Sequence, residues 1–279
     1  LLLQSQCDEF GEWNDVLEDT DIVVYSTPYA ISNFRYNPQY AYGRNFLPVM
    51  VNYGYYRSIY DKDIVASQNY VYMWKIFAEN EDIAELFREC AIRKDSNVDL
   101  TGYIKMDELA QSSKKDTNRK RILIAPHHSV EGGVNATLNL SNFQRYANFF
   151  LELPKRYPEI DFIFRPHPFL FTILSASTRW GNRTVQYYIA MMTSNSNVVW
   201  SEGGNYLEEC ANSDAIIHDC GSYLVEYLYT GKPCCYMLKC QDDIETKFLK
   251  LGQDCLEHCY ISYTKNDIEK FIREVVLLG

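Results

Sequence analysis

Four of the five histidines in this 279-residue chain stand where a short apolar run ends. Residues 122–125 close on Pro126 ahead of His127-His128-Ser129. Residues 161–164 close on Arg165-Pro166-His167-Pro168, and residues 215–217 close on His218-Asp219. An imidazole titrates near neutrality, so it can take up a proton or donate to an anion. In open α/β sheets ligands bind outside the carboxyl ends of the strands, where these histidines would lie. Function therefore outweighs packing for His167 and for one of His127 and His128, whereas His258 reads as a packing residue.

Two loops around these histidines have chemistry of their own. In Arg165-Pro-His-Pro168 each proline removes an N–H and fixes its own φ, which makes a stiff extended loop that aims His167. Arg165 can pair with phosphate oxygens, and His167 can donate to the same anion or to a departing phosphate. In the stretch from Asn212 to Tyr236, the Gly221-Ser222 turn opens a helix whose N–H groups suit phosphate, so Gly221 and Ser222 are expected at the diphosphate of a nucleotide donor. Glu226 follows Ser222 by four residues, on the same helical side, where it could take ribose hydroxyls. Ser213, Asp214 and Asp219 are expected to cap or brace the turn, and Lys232-Pro233 stops the helix.

The elements that must position these loops alternate. Residues 21–25 and 46–53 read as strands feeding loops, and residues 82–94 as an amphipathic helix with acidic residues early and basic ones late. The aromatic, Asn-rich stretch 29–42 between the two strands is a packed loop or an acceptor surface. Residues 111–121, polar and charged, form the best linker. Beyond it come a strand at 122–125, a helix at 141–157, a strand at 161–164, a helical region at 169–192, a strand at 197–200, the histidine-bearing strand at 215–217 and a last helix at 265–277. Such alternation predicts a doubly wound parallel sheet with right-handed crossovers. We expect an α/β protein of two domains, residues 1–115 and 116–279.

Composition narrows the function classes. The net charge is −10, with 37 acidic against 27 basic residues, which argues against a nucleic-acid surface but leaves room for a local basic pocket. No apolar run approaches the roughly 20 residues a membrane span needs. The chain opens on Leu1-Leu2-Leu3 without a methionine, as a piece of a longer polypeptide would. Nine scattered cysteines read as reduced cytosolic thiols. Cys255 and Cys259 lack the second close pair of a zinc site, so no metal and no cofactor is expected, and the sequons at Asn135, Asn139 and Asn182 mean little in a cytoplasmic chain. Walker, Gly-x-Gly-x-x-Gly and nucleophile-elbow motifs are absent, against P-loop, NAD-dependent and α/β-hydrolase chemistry.

Taken as an ordered set, Ala125-Pro126, Arg165-Pro-His-Pro168, Ser213-Asp214, Asp219-x-x-Ser222 and Lys232-Pro233 resemble the CDP-glycerol glycerophosphotransferase family, which builds teichoic acids and related capsule polymers of the bacterial cell envelope. The likeness covers roughly residues 119–240. It implies a GT-B fold, with two Rossmann-like domains facing across a cleft and the nucleotide held by the C-terminal one. It also implies transfer of glycerol phosphate, or a related alditol phosphate, from a CDP-linked donor to a hydroxyl of a glycan or polyol-phosphate acceptor, with release of CMP. Matched position by position, Arg165, His167 and Ser222 would address the donor phosphates, and Glu226 stands where the family has an acidic residue. Peripheral association with the inner face of the membrane fits polymer synthesis, although no basic amphipathic helix supports it.

Two departures shape the mechanism. The family's phosphate turn often has two serines, whereas here it reads Cys220-Gly221-Ser222. The Trp-His-Gly of the wall polymerases, whose histidine is the base, corresponds to residues 51–55, which have no histidine. With no histidine before His127, the base that removes the acceptor proton is expected to be His127 or His128. The alternatives are a GT-B glycosyltransferase that uses a nucleotide sugar and a degenerate, non-catalytic binding module.

Overall fold

The computed structural model describes residues 17, 20–30, 36–41, 43–112, 117–130 and 138–279. Cys7, Asn135 and parts of the 29–42 and 111–121 stretches lie outside the described residues. The chain forms two compact units. The first takes the residues up to Tyr56 together with Tyr60–Tyr103, and the second takes Arg57–Ile59 and Ile104–Gly279. The passage between them falls at Tyr103, ahead of the polar 111–121 stretch.

In the first unit β1 (Ile22–Tyr25), β2 (Leu47–Val51), β3 (Lys75–Ala78) and β4 (Val98–Leu100) form a parallel sheet in sequential order. Ile22 pairs with Leu47, Met50 with Ile76 and Ile76 with Val98. The short helices α1 (Asp61–Val65) and α2 (Gln68–Val71) follow β2, and α3 (Glu81–Cys90) follows β3. Asn80 caps α3 by accepting the Ile83 N–H at 3.0 Å, and Ile83, Ala84, Leu86 and Phe87 bury one face. The helix stops sooner than its charge pattern predicts. Ala91 is extended at ψ 147° and Lys94 takes a left-handed φ of 56°, so the chain turns back there into β4.

The second unit begins with α4 (Ile104–Gln111) and continues through β5 (Arg121–Ala125), α5 (Phe143–Arg156), β6 (Asp161–Phe164), α6 (Leu170–Ala176), α7 (Gly181–Thr193) and β7 (Val198–Trp200). It then runs through α8 (Tyr206–Asn212), β8 (Ala215–His218), α9 (Gly221–Glu226), β9 (Cys234–Met237), α10 (Asp243–Lys247), α11 (Lys250–Glu257), β10 (Tyr260–Ser262) and α12 (Lys265–Phe271), which ends in a π-helical turn over Ile272–Leu277. All six strands are parallel in the order β10-β9-β8-β5-β6-β7. The helical region expected at 169–192 is two helices, because Ser177 is extended at ψ 148° and Gly181 sits at φ 68°.

Apolar strands and aromatic helix faces make the core. Ile122, Ile124, Phe143, Phe150, Phe162 and Phe164 belong to one buried cluster, with the Phe143 and Phe164 ring centroids 6.4 Å apart. Residues 57–59 join this unit where α10 meets α11: the Leu249 N–H donates to the Arg57 carbonyl at 2.8 Å, and the Ile59 N–H to the Lys247 carbonyl at 3.0 Å.

The strand order reverses between β5 and β8. From β5 the chain steps outward to β6 and β7, and from β8 it steps the other way to β9 and β10, which opens a crevice at their carboxyl ends. Asp219 ties that crevice together. It is fully buried, and its carboxylate accepts from the His127 N–H at 2.6 Å and from the Asn142 N–H at 2.5 Å. Replacing Asp219 with alanine leaves both N–H groups without an acceptor, at about 1–3 kcal/mol each. The expected loss is about 2–6 kcal/mol of unfolding free energy in a urea titration with unchanged m.

Candidate functional site

Three imidazoles converge on this crevice. The ring centroids of His127 and His128 lie 4.2 Å apart, those of His128 and His167 4.0 Å, and those of His127 and His167 5.4 Å. His127 and His128 leave the end of β5 through Pro126. His167 leaves β6 through Pro166, and its N–H donates to the Pro126 carbonyl at 3.0 Å, which locks the two loops together. His127 is buried, and the other two are half-buried.

The hydrogen bonds fix what two of these rings can do. The Ser129 N–H donates to His127 Nδ1 at 3.2 Å, and the Phe169 N–H donates to His167 Nδ1 at 3.2 Å. A backbone N–H can only donate, so each Nδ1 is an acceptor and each neutral ring carries its proton on Nε2. Burial keeps the rings neutral. It pushes His167 down to about 3, with His128 adding to the effect. It holds His127 well below the ordinary range, reinforced by His128, His167 and Arg57, and it also lowers His128. The ligand atoms of the three rings all lie within 4.8 Å of one another, near enough to grip a metal ion. A metal-bound Nε2 would require the proton on Nδ1, so the bonds at His127 and His167 favour an anion or a hydroxyl as the occupant.

Arg57, which the sequence did not single out, supplies positive charge here. Its guanidinium lowers His127 and also pulls down Cys220, whose thiol burial nonetheless raises to about 11. Gly221 exists for the same guanidinium, since a Cβ at that position would fall on the Arg57 side chain. Phe169, also unanticipated, is 61% exposed beside the cluster, with its centroid 5.6 Å from His167 and 6.1 Å from His128.

Other expected site residues have different surroundings. Arg165 donates to Ser201 Oγ at 2.7 Å and to Glu209 Oε1 at 2.9 Å, so a phosphate would compete with Glu209 for it. Glu226 is only 1% exposed, 3.6 Å from Lys105 and hydrogen-bonded to Tyr206, and a ribose could not reach it without displacing them. Ser222 is half-buried at the start of α9, a helix of six residues. Ser213 bonds the Cys210 carbonyl and the Tyr227 hydroxyl, and Asp214 accepts from the Arg121 N–H at 2.8 Å, so both brace the sheet. His218 is a core residue, fully buried between the Cys220 carbonyl and Cys234 Sγ. In the first unit Tyr53, 44% exposed, follows β2 in the 51–55 stretch.

No protein-family profile matches the sequence, and no curated protein does. Solved structures share its fold. The wall teichoic acid polymerase TagF is 11% identical with a TM-score of 0.57, over 91% of this chain and 65% of TagF. A variant of TagF has been soaked with CDPG. The UDP-GlcNAc 2-epimerase of Neisseria meningitidis, bound to UDP-GlcNAc, is 20% identical with a TM-score of 0.53, over 91% of this chain and 67% of the epimerase. S. aureus MnaA with UDP is 16% identical with a TM-score of 0.55, over 92% and 67%. These likenesses show two parallel-sheet α/β units of the GT-B type, and the chain spans about two thirds of the length of the structures it matches. Among the described residues no helix is long and apolar enough to cross a membrane.

Two outcomes follow from the geometry. Gly221→Ala should cost little stability, because Arg57 has a flexible side chain, yet displace its guanidinium. Anion binding should then fall about tenfold, as expected for one charge-assisted contact, read by calorimetry beside an unchanged Tm. His218 is held at about 3 by burial. Below pH 6.5 the unfolded chain takes up its proton and the native chain does not, so this group lowers stability by about 1.4 kcal/mol per pH unit as pH falls from 6.5 towards 3. Urea titrations of wild type and His218→Gln at pH 7.5, 6 and 5 should differ by that slope. Subtracting the two also removes the opposite trend of Asp219, which burial raises to about 7 against the pull of its two N–H donors.

Proposed function

We propose that the chain is the catalytic part of a transferase that moves glycerol phosphate, or a related alditol phosphate, from a CDP-activated donor to a hydroxyl of a growing surface polymer. The observation behind this reading is the neutral imidazole cluster beside Arg57, a set of donors at the sheet's switch point suited to a phosphate. The motif order of the sequence supports the family, and the shared fold with TagF supports the architecture.

In this reading the second unit holds the donor. The Nε2–H groups of His127 and His167 and the guanidinium of Arg57 take the charge that builds on the phosphate oxygens. The acceptor oxygen attacks the β-phosphorus, its P–O bond forms as the bond to CMP breaks, and the acceptor proton goes to a base. His127 Nδ1 already accepts the Ser129 N–H and its Nε2 carries the proton, so the base falls to His128, which burial keeps unprotonated at neutral pH. Phe169 offers an exposed ring for the pyrimidine to stack on. A nucleotide sugar would use the same anion donors, so the choice of donor is decided by experiment.

The test is a thermal-shift and turnover screen with CDP-glycerol, CDP-ribitol and UDP-GlcNAc. CDP-glycerol or CDP-ribitol should raise the Tm most and release CMP in the presence of acceptor. His167→Ala and Arg57→Ala should lower kcat/KM by about 10²- to 10³-fold, and His128→Ala should lower kcat by about 10²- to 10⁴-fold. Phe169→Ala should weaken nucleotide binding by about 1–3 kcal/mol. Near-native turnover in both His127→Ala and His128→Ala would eliminate a histidine base, tighter binding of UDP-GlcNAc would favour sugar chemistry, and no nucleotide bound at millimolar concentration would leave a non-catalytic module.

A further inference from the structure

A second place in the same unit is built for an anion. At the start of α5 a cavity of about 370 Å³ is lined, among the described residues, by Ser141, Asn142, Gln144, Arg145, Arg179 and Lys239. Three of the six are cations and none is an acid. Arg145 follows from the first turn of a 14-residue helix, Arg179 from the loop between α6 and α7, and Lys239 from the carboxyl end of β9. Neither Arg145 nor Arg179 forms an ion pair with any described carboxylate, although the chain as a whole is acidic.

The floor of the cavity adds a second requirement. Asn142 is 1% exposed. Its side-chain NH₂ donates to the Leu140 carbonyl at 3.2 Å and to the Met237 carbonyl at 3.1 Å. Two carbonyl partners fix which end of the amide is nitrogen. The other end, Oδ1, is buried with no donor, and this residue at the N-cap position of α5 makes no capping bond with it. A buried acceptor left unsatisfied is costly, and a ligand hydroxyl would satisfy it. The helix N-terminus adds its positive end beside the two arginines.

We propose that this cavity binds a phosphorylated polyol, with the phosphate on Arg145, Arg179 and Lys239 and a hydroxyl on Asn142 Oδ1. The volume decides between this ligand and a bare ion, since about 300 Å³ or more is the size of a small-molecule site. Resting on the transferase reading, the natural occupant is a polyol-phosphate unit of the acceptor chain. Asp219 supports this link, because the carboxylate that holds the His127 N–H also holds the Asn142 N–H, so one brace positions both places.

Calorimetry with glycerol 3-phosphate, inorganic phosphate and glycerol tests the proposal. Glycerol 3-phosphate should bind more tightly than either of the others. Arg145→Ala and Arg179→Ala, both at exposed positions, should each weaken it by about tenfold, one lost charge-assisted contact apiece, at unchanged Tm. His167→Ala should leave it intact while weakening binding of CDP-glycerol. Binding that ignores both arginine substitutions, or that is lost in His167→Ala, overturns the proposal, and equal affinity for inorganic phosphate overturns the polyol assignment. Loss of CDP-glycerol binding by the wild type with glycerol 3-phosphate retained would instead sink the transferase reading alone.

Discussion

The site depends on one fully buried carboxylate. Asp219 follows β8, and both its oxygens face backbone N–H groups contributed by the chain on either side of the β5–α5 connection. A parallel sheet leaves loops at its carboxyl edge that have no ladder to hold them, so their positions must come from such ties. Here the tie is buried, which makes it stiff and makes any loss of it expensive. The Pro126 carbonyl, holding the His167 N–H, extends the tie to β6, and three loops become one platform.

In the proposed reading, that platform is how a chain of net charge −10 holds phosphate. It does not gather many cations. It sets neutral imidazoles with their protons directed by backbone bonds beside one guanidinium, where low dielectric strengthens each donor. Imidazolium ions this close would repel one another, and burial removes that problem by keeping the rings uncharged.

Much of this was legible in the sequence, because the strand ends were marked by proline and histidine together. Arg165-Pro-His-Pro168 announced a rigid loop, Pro126 marked the strand end ahead of His127-His128, and β5, β6 and β8 followed from apolar runs. Strands β3, β4 and β10 were missed, since three or four residues are too few to show a period. The spacing of Ser222 and Glu226 correctly put them on one helical side but could not say that Lys105 and Tyr206 cover Glu226. Arg57 was invisible for a different reason. It lies in an aromatic stretch after β2, far along the chain from every residue it serves, and only the space reserved above Gly221 reveals it.

The placement of residues 57–59 has a wider consequence. The second unit is not written by one continuous stretch of chain, since three of its residues are encoded within the first. A recombination event joining a foreign first half at Ile104 would inherit the three histidines, Asp219 and Gly221 intact, yet leave Gly221 facing a hole where the guanidinium belongs. Shuffling of such halves would therefore be constrained to partners that bring a basic residue just beyond the equivalent of β2.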